Sequence, residues 1–216
     1  MKTFLSDQER TKLDQRVADA EKRTGAQIVL AVIGRSDSFA ELPWKAFALG
    51  AAIVGPVAVL VSMLRPVWTQ SVAALLIVVA TLGAGALCAL VCVACPPFAR
   101  LFLDSHRAEV EVRQYARSLF LERELFATHG RRGVLLLVSM FERHVVLLPD
   151  KGLEDRLGEA ASQEIVRRMT ATLAAGQVCR ALEEGLAGVE DALGTAAPGA
   201  PQENELPDTI VEEEGS

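Results

Sequence analysis

Three carboxylates lie close together in the second half of the chain, where their spacing could support chemistry. Asp150, Glu154 and Asp155 could hold a divalent cation or act as a general acid and base. A structural role also fits, because Asp150, Lys151 and Gly152 are typical turn residues, and acidic side chains stabilise the amino end of a following helix. The pattern leaves both roles open and assigns no catalytic residue.

A basic segment precedes a run of apolar residues some twenty positions before these carboxylates. It contains His129, Arg131 and Arg132. Guanidinium groups match the oxygens of phosphate, so this segment would favour an anion such as phosphate or a lipid headgroup. The alternative is a solvated basic turn that faces an anionic membrane surface.

The common signatures of catalysis and cofactor binding are missing from the sequence. It contains no G-x-S-x-G elbow, and no phosphate-binding glycine loop follows a strand. The three histidines have no cysteine or histidine at zinc spacing. Cys88, Cys92 and Cys95 share one helical face, which fits packing better than a metal or lipidation site. We therefore expect no resident metal or cofactor.

Charge argues against one class of partner and predicts a disordered tail. The net charge of −6 does not suit a general nucleic-acid binder, which needs a basic surface. Much of the acidity falls in residues 195–216, together with three prolines. Such a composition cannot build a core, so we predict that this tail is disordered.

Two long uncharged runs predict a membrane hairpin within residues 41–100. No charged side chain occurs in residues 46–64 or 66–99, and each run reaches the ~20 residues that cross ~30 Å of hydrocarbon. We predict spans at about residues 44–64 and 71–95. Trp44 and Trp68 lie about 24 residues apart, or roughly 36 Å along a helix, as expected for indoles at the two interfaces.

Flanking charges predict the orientation of this hairpin. Four basic residues lie on the side of the two termini, whereas Arg65 stands alone in the turn; the four are Arg35, Lys45, Arg100 and Arg107. The positive-inside rule then places both termini and the soluble part in the cytoplasm, with two spans in the membrane. The alternative, a buried hairpin in a soluble helical protein, would leave the helices no solvated face.

The remaining residues predict an α/β domain with a small mixed sheet flanked by helices. Ser6 and Glu9 form a capping box that opens the first helix. Further segments follow from apolar periodicity: strands at 26–33, 133–140 and 144–148, and helices at 109–128, 157–175 and 178–193. Residues 1–40 and 101–194 should fold together, because a two-helix hairpin returns the chain to the same side of the membrane.

Several blocks of the sequence resemble the TPM-domain family, of which some members are described as phosphatase-like. The blocks are TGAQIV at 24–29, RRGVLLLVS at 131–139, ERHVVLL at 142–148, DKG at 150–152 and NELPD at 204–208. The resemblance implies a helix-flanked sheet. Better-known members often have an acidic residue and an asparagine before the strand glycine. Here Arg131 and Arg132 take those places, which counts against a cation site.

The sequence is compatible with two functions. The first is a membrane-anchored, non-enzymatic accessory module that contacts the bilayer and binds a protein partner of unknown identity. It is favoured because catalytic signatures are missing. The alternative, implied only by the resemblance, is a metal-dependent hydrolase of phosphate esters that uses a divalent cation and the carboxylate cluster.

Overall fold

The computed structural model describes residues 4–64, 69–195 and 210–215. It divides into two compact units. The sheet domain comprises Met1–Asp37 and His106–Ser216, and the hairpin unit comprises Ser38–Ser105. The hairpin unit is thus inserted in the sequence of the sheet domain.

The elements follow one another in an α/β order that the hairpin interrupts. The helices are α1 (Asp7–Thr24), α2 (Glu41–Leu64), α3 (Gln70–Ala94), α4 (Pro96–Ala99), α5 (Ser105–Glu122), α6 (Glu159–Ala174) and α7 (Val178–Leu193). The strands are β1 (Gln27–Arg35), β2 (Gly133–Ser139), β3 (His144–Pro149) and β4 (Val211–Gly215). Short 3₁₀ turns follow α4, α5 and β3.

The strands form one mixed sheet in the order β3-β2-β1-β4. Strand β1 runs parallel to β2, with Gln27 opposite Gly133, and parallel to β4, with Ala31 opposite Val211. Strand β3 returns antiparallel to β2. The predicted α/β fold with a small mixed sheet is confirmed.

Apolar side chains on the two faces of the sheet build two cores. Helices α1, α6 and α7 cover one face, where Leu13, Leu136 and Leu186 are buried. Helix α5 covers the other face through Val112, Ala116 and Leu119. Every residue of β2 is buried, because a strand between two neighbours and two helical layers has no exposed side.

The end of the chain forms a strand, so the predicted disorder from residue 195 onward is wrong for residues 210–215. Ile210 and Val211 are 6% and 7% exposed. Glu212 accepts hydrogen bonds from the Phe4 N–H at 3.1 Å and from the Arg10 guanidinium at 2.6 Å. From composition alone the glutamates of this tail were expected to be solvated, whereas Glu212 pairs with groups near the start of the chain and Glu213 with Tyr115 of α5. Residues 196–209, including the NELPD block, lie outside the described chain.

The hairpin unit contains two helices that are long and apolar enough to cross a membrane. Only 6% of the most apolar window of α2 and 11% of that of α3 are buried. A Cβ added at Gly50 would lie 2.8 Å from the Ala84 carbonyl oxygen and from the Cys88 sulfur. Cys88 therefore packs in the contact between the two helices. The predicted turn, with Arg65 and Trp68, lies outside the described residues.

Candidate functional site

The antiparallel pairing of β2 and β3 brings several of the predicted site residues to one end of the sheet, where β2 begins and β3 ends. His129, Arg131 and Arg132 lie in the loop that enters β2, and Asp150 directly follows β3. The Asp150 N–H donates to the Gly133 carbonyl at 2.8 Å. This register places the basic loop beside the first carboxylate.

Arg131 and Asp150 form an ion pair at this end of the sheet. The Arg131 Nε and Nη2 atoms donate to the two carboxylate oxygens of Asp150, each at 2.7 Å. Asp150 also accepts the Lys151 N–H at 2.8 Å, and its side chain is only 4% exposed. Arg131 adopts a left-handed backbone conformation, with φ of 56°. Two groups that the sequence assigned to opposite roles, cation binding and anion binding, therefore neutralise each other.

The ion pair sets the protonation state of Asp150. Burial alone would raise the pKa of this carboxyl, but the hydrogen bonds from Arg131 and from the Lys151 N–H outweigh it and lower the pKa below its usual value. The same contact raises the pKa of Arg131. A general acid or base works best with a pKa near the operating pH, so Asp150 is held away from that role.

The backbone around this ion pair is packed too closely for side chains at two glycines. A Cβ at Gly152 would lie 2.2 Å from the Gly130 carbonyl oxygen, and a Cβ at Gly133 would lie 2.4 Å from the Leu125 carbonyl oxygen. The Gly152 N–H donates to the Arg131 carbonyl at 2.9 Å. The sequence block DKG thus closes the loop that holds Arg131.

Comparison with known proteins assigns a family model to the part of the chain that contains this end of the sheet. Residues 101–192 match the family model of the TPM domain. Residues 101–192 therefore carry a TPM domain. The match includes all six predicted site residues and both strands that position them.

A solved structure shares the fold of the whole chain. It is the NMR structure of BA42 protein from the psychrophilic bacterium Bizionia argentinensis, with a TM-score of 0.58 and 16% sequence identity. The alignment covers 98% of this chain and 97% of that one. No curated protein matches the sequence. At this level of identity, the likeness to BA42 shows the fold alone.

The carboxylates at and after the end of β3 do not fit a divalent cation. Both oxygens of Asp150 are engaged by Arg131. Glu154 and Asp155 are exposed in the turn before α6 and make no ion pair with any described residue. Within residues 4–64, 69–195 and 210–215, no three His, Cys, Asp or Glu side chains converge as metal ligands.

A second polar cluster of the sheet domain lies at the opposite end of β1 and β2, and sequence reasoning missed it. Glu142, 8% exposed, accepts the Ser36 N–H at 2.9 Å and the Ser36 hydroxyl at 2.7 Å. Its other oxygen accepts the hydroxyl of the fully buried Ser139. In the sequence, Glu142 is only one residue of a polar turn. Its partner Ser36 lies far earlier in the chain, so the sequence does not indicate the contact. The cluster ties the end of β1 to the β2–β3 turn.

We expect Asp150→Asn to lower the free energy of unfolding of the TPM domain by about 2 kcal/mol at neutral pH, because a buried charged hydrogen-bond acceptor is lost. Asp155→Asn, at an exposed position, is the matched control and should change little. The readout is hydrogen exchange of the buried amides of β2, with the full chain in detergent micelles.

The difference between the native chain and Asp150→Asn should also depend on pH. A lowered pKa in the folded state means that ionised Asp150 stabilises the fold above the unfolded pKa near 3.9. That stabilisation is lost as the pH falls through the folded pKa. The two proteins should therefore converge in stability in strong acid, and a constant difference across the acid range would contradict the ion-pair account.

Proposed function

We propose that the protein is a membrane-anchored TPM-domain protein of the bacterial inner membrane. The hairpin unit holds the sheet domain at the cytoplasmic face, where the domain acts as a non-enzymatic accessory module that binds a protein partner. The observation that supports the anchor most strongly is the apolar surface of α2 and α3. A soluble protein rarely exposes so large an apolar area.

The exposed side chains of the hairpin unit support a lipid environment around both helices. Large apolar residues are more than half exposed along α2 and α3, among them Ile53, Leu60, Leu75, Leu82 and Leu90. Polar side chains do not form a solvated stripe on either helix. In water this surface would drive aggregation, whereas in a bilayer it is matched to the lipid chains.

We expect an arginine at Leu82 to reduce the stable membrane insertion of the chain. Leu82 lies near the middle of α3 and is 54% exposed. A charge at the centre of a span costs about 3 kcal/mol on insertion scales. The measurement is the fraction of Leu82→Arg that remains in the membrane pellet after alkaline carbonate extraction. Leu82→Phe is the control and should behave as the native chain; equal retention of the arginine variant would contradict the anchor.

The geometry of the sheet domain supports binding rather than catalysis. Asp150 is ionised and paired with Arg131, and Glu142 is paired with Ser36 and Ser139. These two carboxylates are buried in structural contacts, so neither is free to activate water or a substrate hydroxyl.

We expect the purified full chain not to hydrolyse p-nitrophenyl phosphate above the buffer blank when Mg²⁺, Mn²⁺ or Ca²⁺ is added. Asp150→Asn is the control for any residual rate. A hydrolysis rate that disappears both in this variant and after addition of a chelator would instead support the metal-dependent phosphatase.

A further inference from the structure

An open groove runs along the outer edge of β3 in the sheet domain. Its volume is about 790 Å³. The floor is β3 itself, one wall is formed by Glu109 and Arg113 of α5, and the other wall by the first half of α6. We call this feature the β3 groove. It is separate from the Arg131–Asp150 ion pair, neither residue of which lines it.

The register of the sheet shows that β3 presents unpaired backbone groups to this groove. The bond from the Asp150 N–H to the Gly133 carbonyl makes these two residues a hydrogen-bonded pair. Hydrogen-bonded pairs alternate along antiparallel strands, so Leu148 and Val146 also bond to β2. Val145 and Leu147 then direct their N–H and C=O groups away from β2, and no described residue bonds to them.

These backbone groups have the spacing that an added strand requires. Val145 and Leu147 are two residues apart, their side chains pack into the core, and the two residues as a whole are 4% and 7% exposed. The groove therefore offers mainly backbone hydrogen bonds along its floor. Proteins recognise extended peptides in this way, because main-chain bonds hold the peptide and side chains beside the strand select it. Pro149, which has no N–H, ends the available edge.

The charges on the walls indicate which peptide the groove would select. Arg113 is paired with Glu109 at 3.3 Å, and Arg167 is paired with Glu164 at 2.8 Å. By contrast, Glu154 and Glu159 line the groove and form no ion pair with a described residue. Glu164 also pairs with Arg168 at 2.8 Å and does not line the groove. The charged side chains that line it are three glutamates and two arginines, so its charge is negative, at the end where α6 begins. A basic side chain on the incoming segment would complement it.

We propose that the β3 groove binds an extended, basic segment of a protein partner, which adds to the sheet as a strand beside β3. This inference rests on the partner-binding part of the proposed function and gives it a location. The peptide donates to and accepts from Val145 and Leu147, and its lysine or arginine side chains lie beside Glu154 and Glu159.

The test measures hydrogen exchange of single amides by NMR, with the full chain in detergent micelles. The probe is the capped peptide Lys-Val-Lys-Val-Thr-Val. In the free protein, the amides of Val145 and Leu147 should exchange at least tenfold faster than those of Val146 and Leu148. Saturating peptide should slow exchange at Val145 and Leu147 at least tenfold, because their N–H groups become bonded.

Two comparisons test the chemistry of the site. A peptide with glutamate in place of lysine should need at least a tenfold higher concentration for the same protection. The double variant Glu154→Lys with Glu159→Lys should reverse this preference, whereas Asp191→Lys, an exposed position outside the groove, should keep it. A peptide with proline at its central positions should give no protection.

The proposal is overturned if the lysine peptide protects neither amide, or if both peptides protect equally. It is also overturned if the two amides become protected without peptide as the protein concentration rises and the sedimenting mass doubles, because a second copy then occupies the groove. If the peptide test fails in a chain that still resists carbonate extraction, the proposed peptide binding is wrong and the proposed membrane anchor still stands.

Discussion

Replacement of Ser38–Ser105 by a short glycine-serine linker should give a water-soluble protein that keeps the fold of the sheet domain. The two chain ends that the linker must join are close, because the side chains of Asp37 and Arg107 approach within 3.3 Å. Both apolar cores of the sheet consist of residues outside the hairpin unit. The excision removes the long apolar helices and leaves those cores intact.

The expected result is a complete shift from the membrane fraction to the soluble fraction. The variant should elute as a monodisperse species and unfold cooperatively in guanidinium chloride. A control that replaces only residues 65–68 by the same linker should stay in the membrane. An insoluble or unfolded product of the full excision would show that the sheet domain depends on the hairpin unit for its core.

Removal of β4 from this soluble variant should have the second largest effect. A chain that ends at Thr195 loses the burial of Ile210 and Val211, each worth about 1.5 to 3 kcal/mol, so the free energy of unfolding should fall by about 3 to 6 kcal/mol. The loss is at the upper end of this range because the contacts of Glu212 with Phe4 and Arg10 are removed as well. The measurement is guanidinium unfolding followed by circular dichroism at 222 nm.

The matched control for this truncation ends at Gly215, which removes only the last residue. It should unfold at the same denaturant concentration as the uncut variant. The chain without β4 should also self-associate, because the edge of β1 becomes unpaired. Equal stability of the two truncated chains would mean that β4 does not contribute to the sheet in solution.

The fold was largely predictable because its main signals are local. Ser6 and Glu9 form the predicted capping box, with bonds in both directions. The apolar runs that become β1, β2 and β3 are bounded by turn residues, so periodicity located each of them. Strand β4 was missed because Glu212 and Glu213 dominate its composition. Their partners, Arg10 and Tyr115, lie more than ninety residues away.

The sequence drew attention to residues that meet at one end of the sheet, but it did not predict the contact between them. The sequence singled out Arg131 and Asp150, yet it placed them in separate hypotheses about anions and cations. Only the register of β2 and β3 shows that they form an ion pair. Glu142 was not predicted as a site residue for the same reason, because its partner Ser36 precedes the hairpin in the sequence. Long-range pairing of polar groups leaves no periodic signal in a single sequence.

The most direct test of the membrane account is cysteine labelling in intact cells. Single cysteines are placed at Gln70, at the start of α3, and at Ser216, in a chain whose four native cysteines are replaced by alanine. An impermeant maleimide should label the cysteine at position 70 and spare the one at 216 until the cells are permeabilised. Labelling at 216 but not at 70 would contradict the proposed orientation, and labelling of neither before permeabilisation and both after it would contradict the two-span hairpin.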